Sequence, residues 1–391
     1  MNKLPIKILT ISWDSNLAMN NPIFGDVQER NIAYGKYVSA IHSITYTKKT
    51  ENLTNRTLSD NVFVYSTQSK NPLAFLLDSY CLAKKICLTN KIDLVLTQDP
   101  FLTGLVGWWL KKKFNLKLLI HFHGDFWRNH EWLKEKWYNF FLLFLSYFLV
   151  KKADAVRAVS LGIKNKLIKQ GINAQKIIVI PTPINLNLFL SVDEKKINLI
   201  REKYRFLTSD KIILFVGRLE PEKNLIWFID VFNETIKKKP ETKFLIIGTG
   251  REKNKIIKKI NSLNLVGKII LIGNINHNLL PVYYHLANLL ILPSTSESFG
   301  KVLVEAGAAG IPCVASATTG AKEIIKDNET GFLAPINNDE KMKAKILLIL
   351  ADENLQKKMG QTAQKFVQEN FSREILIQKI ISLWSSLSFP A

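Results

Sequence analysis

The stretch Ser296-Glu297-Ser298-Phe299-Gly300-Lys301-Val302-Leu303-Val304-Glu305-Ala306 sets two carboxylates on either side of a turn that leads from a strand into a helix. Upstream, Asn288 to Leu292 reads as a buried strand, and Pro293-Ser294 supplies the turn chemistry that ends it. Downstream of Gly300, apolar Val302, Leu303 and Ala306 recur at helical spacing. Glu297 then falls in the loop and Glu305 in the first two turns of the helix. Both can face one crevice at the carboxyl end of a strand, where open α/β sheets bind ligands. A solvated loop acid beside a helix-surface acid fits the same spacing, so the reading depends on what the rest of the chain adds.

Two further strand ends add to it. Lys211 to Val216 is a short apolar strand that runs into Gly217-Arg218-Leu219-Glu220-Pro221-Glu222-Lys223-Asn224 before a helix starting near Leu225. Glycine at such a turn lets a ligand approach the backbone. Arg218 offers a planar fork for phosphate oxygens and Lys223 a mobile point charge, a pair suited to clamping a diphosphate. A plain surface loop is the competing reading. Lys243 to Ile247 is another strand and ends in Gly248-Thr249-Gly250-Arg251.

In that order, the three segments resemble the retaining nucleotide-sugar glycosyltransferases of family four, which share the GT-B fold of two doubly wound, Rossmann-like α/β domains facing across a cleft. Gly310-Ile311-Pro312 and Thr319-Gly320 to Glu323 continue the resemblance. It implies that Arg218 and Lys223 bind the donor diphosphate, that Glu305 bonds the nucleotide ribose and that Glu297 touches the donor sugar. Gly217 and Gly248 would line the donor site. Backbone amides of Phe299, Gly300 and Lys301 would meet sugar and phosphate at a helix N-terminus, where the dipole and unpaired N–H groups favour anions.

The amino half matches more loosely. Ile92 to Thr97 is a strand ending at Gln98-Asp99-Pro100, and Leu116 to Phe122 is a strand that delivers His123-Gly124-Asp125. The resemblance implies a catalytic contact from His123 to the donor sugar. His121, two positions earlier, points to the same side of a regular strand and competes with it. In the first loop, Gly25 is the one glycine that matches the family's phosphate-binding pair. Asp26 and Arg30 beside it read as acceptor contacts, because a carboxylate next to a diphosphate would repel it.

A chain of 391 residues exceeds the reach of one hydrophobic core. The expected division is an acceptor-binding domain over 1–185, a nucleotide-sugar domain over 186–372, and a last helix, about 373–391, that packs back on the first domain. Cys81, Cys87 and Cys313 give neither a disulfide framework nor metal-ligand spacing, and no Asp-rich metal motif ends a strand. No resident cofactor or metal is expected, with the nucleotide-sugar as donor substrate, and a reducing cytoplasm fits. The first apolar run, Ile6 to Trp13, reads as a strand rather than a signal peptide.

The net charge is +21, and residues 1–190 hold 25 basic against 12 acidic side chains. The lysines are dispersed and no nucleic-acid module motif appears, which argues against nucleic acid and leaves an anionic membrane as the candidate partner. Trp132 to Lys152 carries Trp132, Trp137 and Tyr138 and an apolar run from Phe140 to Val150, bordered by lysines. That run is too short to span a bilayer, so it is either a core helix or an interfacial one. The expected activity is retaining, metal-independent transfer from a nucleotide-sugar to a glycan or lipid-linked acceptor in surface polysaccharide or glycolipid synthesis. A sugar-nucleotide epimerase or phosphorylase on a related fold, or a non-enzymatic basic membrane or nucleic-acid binding protein, are the alternatives.

Overall fold

The computed structural model describes residues 3–20, 26–127 and 129–389. It divides into two compact units, one of residues 1–182 with 374–391 and one of residues 183–373.

The amino-terminal unit holds eight strands: β1 (Leu4–Ser12), β2 (Val38–Thr45), β3 (Arg56–Ser59), β4 (Val62–Ser66), β5 (Leu94–Thr97), β6 (Lys117–Phe122), β7 (Ala155–Ala158) and β8 (Ile177–Val179). They form one sheet in the order β3-β4-β2-β1-β5-β6-β7-β8. Only the β3 edge runs antiparallel, against β4. The strands are near-continuous apolar runs because helices cover both faces of a parallel sheet. One face buries Leu9, Ile11, Val95, Leu118 and Ile120 with Phe75, Val106, Leu110 and Leu149 from the helices. The opposite face buries Ile6, Ile8, Ile41, Leu94 and Leu119 under Leu376, Ile377, Ile380 and Trp384 of the last helix, Arg373–Ser388.

In the carboxyl-terminal unit six strands, β9 (Lys211–Val216), β10 (Thr242–Ile247), β11 (Ile269–Gly273), β12 (Leu289–Leu292), β13 (Cys313–Ser316) and β14 (Gly331–Ala334), lie in the order β11-β10-β9-β12-β13-β14. Each neighbouring pair is parallel.

Both orders reverse direction once, between β1 and β5 in the first sheet and between β9 and β12 in the second. At such a point the chain leaves adjacent strands toward opposite faces, which opens a crevice beyond their carboxyl ends. The loops after β9 and β12 carry Arg218, Lys223 and Glu297. Those after β1 and β5 carry Trp13, Asp14, Gln98 and Asp99.

Candidate active site

In the carboxyl-terminal unit the glycine turns after β9 and β10 are pressed together. Gly248 adopts φ +139°, and a Cβ there would come within 1.8 Å of the Gly217 carbonyl oxygen. No other residue fits that approach. The Leu219 amide donates to the Thr249 carbonyl at 2.9 Å, and the Glu252 amide to the Leu219 carbonyl at 2.9 Å, so the loop after β9 is fastened to its neighbour.

That loop delivers Lys223 to Glu297, 74 positions later, with Nζ 2.5 Å from Oε2. Both side chains are about six-sevenths buried. The Thr295 amide donates to the Glu222 carbonyl at 2.9 Å and ties the two loops beside the ion pair. Arg218, by contrast, is three-quarters exposed, its Nη2 3.3 Å from Glu222 Oε1. The two cations read from the sequence as one clamp therefore each hold a carboxylate here, Lys223 inside and Arg218 outside.

Gly300 caps the helix Lys301–Ala308 with φ +90°. The Gly320 amide donates to the Glu297 carbonyl at 2.8 Å and supports the turn from behind. The Phe299 ring is buried against Phe371, so only the backbone of that residue can serve a ligand. Glu305 lies in the second turn, 4 % exposed, and accepts a hydrogen bond of 2.8 Å from Tyr284 Oη. Burial and the neighbouring carboxylate push the Tyr284 phenol well above its ordinary range, so it stays a donor. Tyr284 has no sequence signal, since Pro281-Val282-Tyr283-Tyr284 reads as an ordinary apolar helix start.

In the amino-terminal unit His123 follows β6, and its Nε2 lies 2.9 Å from Gln98 Oε1. Burial first, then Arg157 and Arg30, depress its pKa to about 3, so the imidazole is neutral at physiological pH. His121 approaches the same Gln98 oxygen at 3.4 Å from Nδ1, and its ring meets that of His123 at 5.4 Å. A cavity of about 300 Å³ opens beside them, and His123, not His121, lines it together with Trp13, Arg30, Tyr34, Gln98 and Arg157. Asp26 pairs with Arg30 at 3.4 Å. Gly25 lies outside the described residues. Arg157 belongs to no motif, and its one trace in the sequence is a cation inside the otherwise apolar strand Ala155–Ala158, an unusual burial for arginine.

The helix Asn139–Lys152 turns out two-faced. Asn139, Ser146, Leu149 and Val150 are buried, while Phe140, Phe141, Phe144 and Phe148 are exposed, Phe144 by 74 %, with Trp137 just before them at 81 %. Among the described residues no group of three or more His, Cys, Asp or Glu could hold a metal ion, and no helix is long and apolar enough to cross a membrane.

Residues 196–366 match the model of the glycosyl transferases group 1, and residues 44–188 match that of glycosyltransferase family 4. The chain belongs to the family-four glycosyltransferases. An uncharacterized glycosyltransferase of Methanocaldococcus jannaschii is 28 % identical over 351 residues, 89 % of this chain and 90 % of that protein. Among solved structures, this glycosyltransferase is similar to sucrose-phosphate synthase of Thermosynechococcus elongatus, with a TM-score of 0.85 and 23 % identity over 98 % of this chain and 99 % of the other. It is also similar to Anabaena HepE in complex with UDP-glucose, at TM-score 0.78 and 20 % identity over 97 % and 100 %. These likenesses carry the GT-B fold.

Proposed function

We propose that this glycosyltransferase moves a sugar from a nucleotide-sugar to a glycan or lipid-linked acceptor with retention of anomeric configuration. The observation that carries the reading is the Lys223–Glu297 pair set between the closely pressed Gly217 and Gly248 turns and the helix that holds Glu305. As the sugar–phosphate bond breaks, negative charge grows on the leaving diphosphate. Lys223, Arg218 and the N–H groups of the Lys301–Ala308 terminus supply the compensating charge from the protein. Glu305, one oxygen held by Tyr284, offers its other oxygen to a ribose hydroxyl. Glu297 serves the donor sugar, and His123 of the amino-terminal unit acts as a neutral hydrogen-bonding group. The leaving phosphate takes the acceptor proton on the same face.

Attachment to the cytoplasmic face of a membrane is supported by the exposed aromatic face of Asn139–Lys152. Lys151 Nζ sits 4.3 Å from the centre of the Tyr147 ring and Lys136 Nζ 5.4 Å from that of Tyr138, so cations border the apolar surface. Aromatic side chains at headgroup depth beside lysines suit an anionic bilayer, each lysine adding about 1 kcal/mol near such a surface.

The test is a donor screen that follows nucleoside diphosphate release, with lipid extracts as acceptors. Release that depends on acceptor, survives chelation of divalent ions and gives a product with the donor's anomeric coupling by NMR is the expected result. An inverted product refutes retention, and loss of activity on chelation with rescue by one metal refutes charge supply by the protein alone. Flotation with anionic liposomes should show salt-sensitive binding that Phe144→Asp reduces with folding intact.

A further inference from the structure

The exposed aromatic face of the helix Asn139–Lys152 is not flat. Phe140, Leu143, Phe144 and Tyr147 recur at steps of three and four positions and so form one stripe of that helix. The stripe lines a cavity of about 500 Å³, shared with Trp127 from the loop after β6, Leu133 from the helix His130–Glu135 and Gln170 at the end of the helix Leu161–Lys169. The core-facing stripe is a different one, Asn139, Ser146, Leu149 and Val150. A helix that is apolar all round calls for apolar partners all round, and on its second stripe this one meets a cavity. The cavity shares no lining residue with the one that holds His123.

The lining selects the occupant. Trp127 is 3 % exposed, its Nε1 donates to Ser146 Oγ at 2.8 Å, and Ser146 Oγ donates to the Leu143 carbonyl at 2.7 Å. The indole N–H is thus engaged inside the protein, and the ring offers carbon to the cavity. Among the other lining side chains only the Gln170 amide and the Tyr147 hydroxyl are polar. Such a surface cannot satisfy the hydroxyls of a sugar and suits a hydrocarbon chain. From Phe140 to Tyr147 the stripe runs roughly 10 Å along the helix axis at 1.5 Å per residue, so the chain lies lengthwise. At the Tyr147 end Lys151 Nζ stands 4.3 Å from the ring centre, a cation at the rim of an apolar slot.

We infer that this cavity takes one acyl chain of an anionic membrane phospholipid, with the headgroup phosphate against Lys151. The inference deepens the membrane reading above and rests on it for the source of the chain. The apolar lining selects the chain and the lysine selects the charge of the head.

The experiment uses the full chain and alkyl phosphates from ethyl to dodecyl, each below its micelle concentration, by calorimetry. Affinity should rise by about fourfold per added methylene, the factor for burying one such group, and stop rising once the cavity is full. No rise, or a rise that continues through the longest chain as on an open surface, overturns the inference. Leu133→Trp and Gln170→Trp fill the cavity from two walls. Each should weaken octyl phosphate by about tenfold or more, the equivalent of about two excluded methylenes, and leave ethyl phosphate unchanged. If one variant fails to fold, the other carries this arm, and wild-type affinity in the folded variants overturns the inference. Octanol should bind more weakly than octyl phosphate, and Lys151→Ala should remove the difference. Equal affinities in the wild type would overturn the choice of an anionic lipid.

Vesicles locate the chain. Phosphatidylglycerol with a diazirine midway along one acyl chain should, on irradiation, label Trp127, Leu133 or Leu143, as read by peptide mass spectrometry. Labels confined to the exposed Trp137 and Phe141 overturn the inference, and so do cavity labels that come from a diazirine-bearing isoprenoid phosphate but not from phosphatidylglycerol. Phe141→Ser, outside the cavity, should lower flotation with anionic liposomes and leave octyl phosphate binding unchanged. Chain binding without any flotation sinks the membrane reading and the phospholipid with it, whereas flotation without chain binding sinks this inference alone.

Discussion

The two units treat their most deeply buried site cation differently. In the carboxyl-terminal unit the largely buried Lys223 is matched by Glu297, and the exposed Arg218 and Arg251 by Glu222 and Glu220. In the amino-terminal unit Arg157 is buried against carbonyl oxygens, and two histidines beside it are forced neutral. If Lys223 binds a diphosphate as proposed, its bond to Glu297 must rearrange to admit the ligand.

The largest effect should come from breaking the balanced side. Lys223→Ala removes the inner cation and leaves Glu297 largely buried and unpaired; turnover should fall by about a hundredfold or more, the scale for one lost preorganised donor. Single-turnover kinetics read it, and a wild-type rate in this variant removes Lys223 from the diphosphate contact. Arg218→Ala should also lower turnover and weaken nucleoside diphosphate binding, but by a smaller factor, because its guanidinium is mostly in water.

Acid sharpens the other side. His123 titrates near 6.5 in the unfolded chain and at about 3 in the folded one. The unfolded state therefore binds the extra proton between those values, and stability falls as pH drops through that window, by about 1.4 kcal/mol per pH unit at full slope. Above pH 6.5 the group contributes no slope. His123→Gln should flatten acid unfolding followed by circular dichroism, and an unchanged acid limb would show that the ring is not held neutral.

A smaller effect is expected at Glu305. Replacing it with Gln keeps the shape and one acceptor for Tyr284, so nucleoside diphosphate affinity should fall by about tenfold with little change in kcat. Tyr284→Phe should weaken it by less, since it removes a hydrogen bond that orients the carboxylate and touches no ligand. Calorimetry with the nucleotide alone separates the two, and a larger loss from Tyr284→Phe than from Glu305→Gln would reverse these roles.

Much of the carboxyl-terminal site is legible in the order of the amino acids, and little of the amino-terminal cavity is. Gly217, Gly248, Glu297, Gly300 and Glu305 announce themselves because turn glycines, a strand that stops and a helix that starts are properties of neighbouring residues. The apolar runs that place Lys211–Val216 and Leu289–Leu292 in a parallel sheet are equally local. The same local rules cannot say whether the helix Asn139–Lys152 is core or surface, since it is apolar all round, and the fold makes it both by covering one face only.

What the sequence by itself determined is the class of fold, two series of apolar strands alternating with helices, and the loops that carry the candidate site residues. Only the tertiary structure decided which charges meet. Lys223 and Glu297 are joined across 74 positions and Tyr284 and Glu305 across 21, while Arg157 meets no acid among the described residues. Such pairings depend on strand order and on the loops that emerge side by side at each reversal, and no short-range pattern encodes them. The energy of a buried charge depends on its surroundings in space, so the chemistry of both sites is a property of the folded sheet order as much as of the residues it brings together.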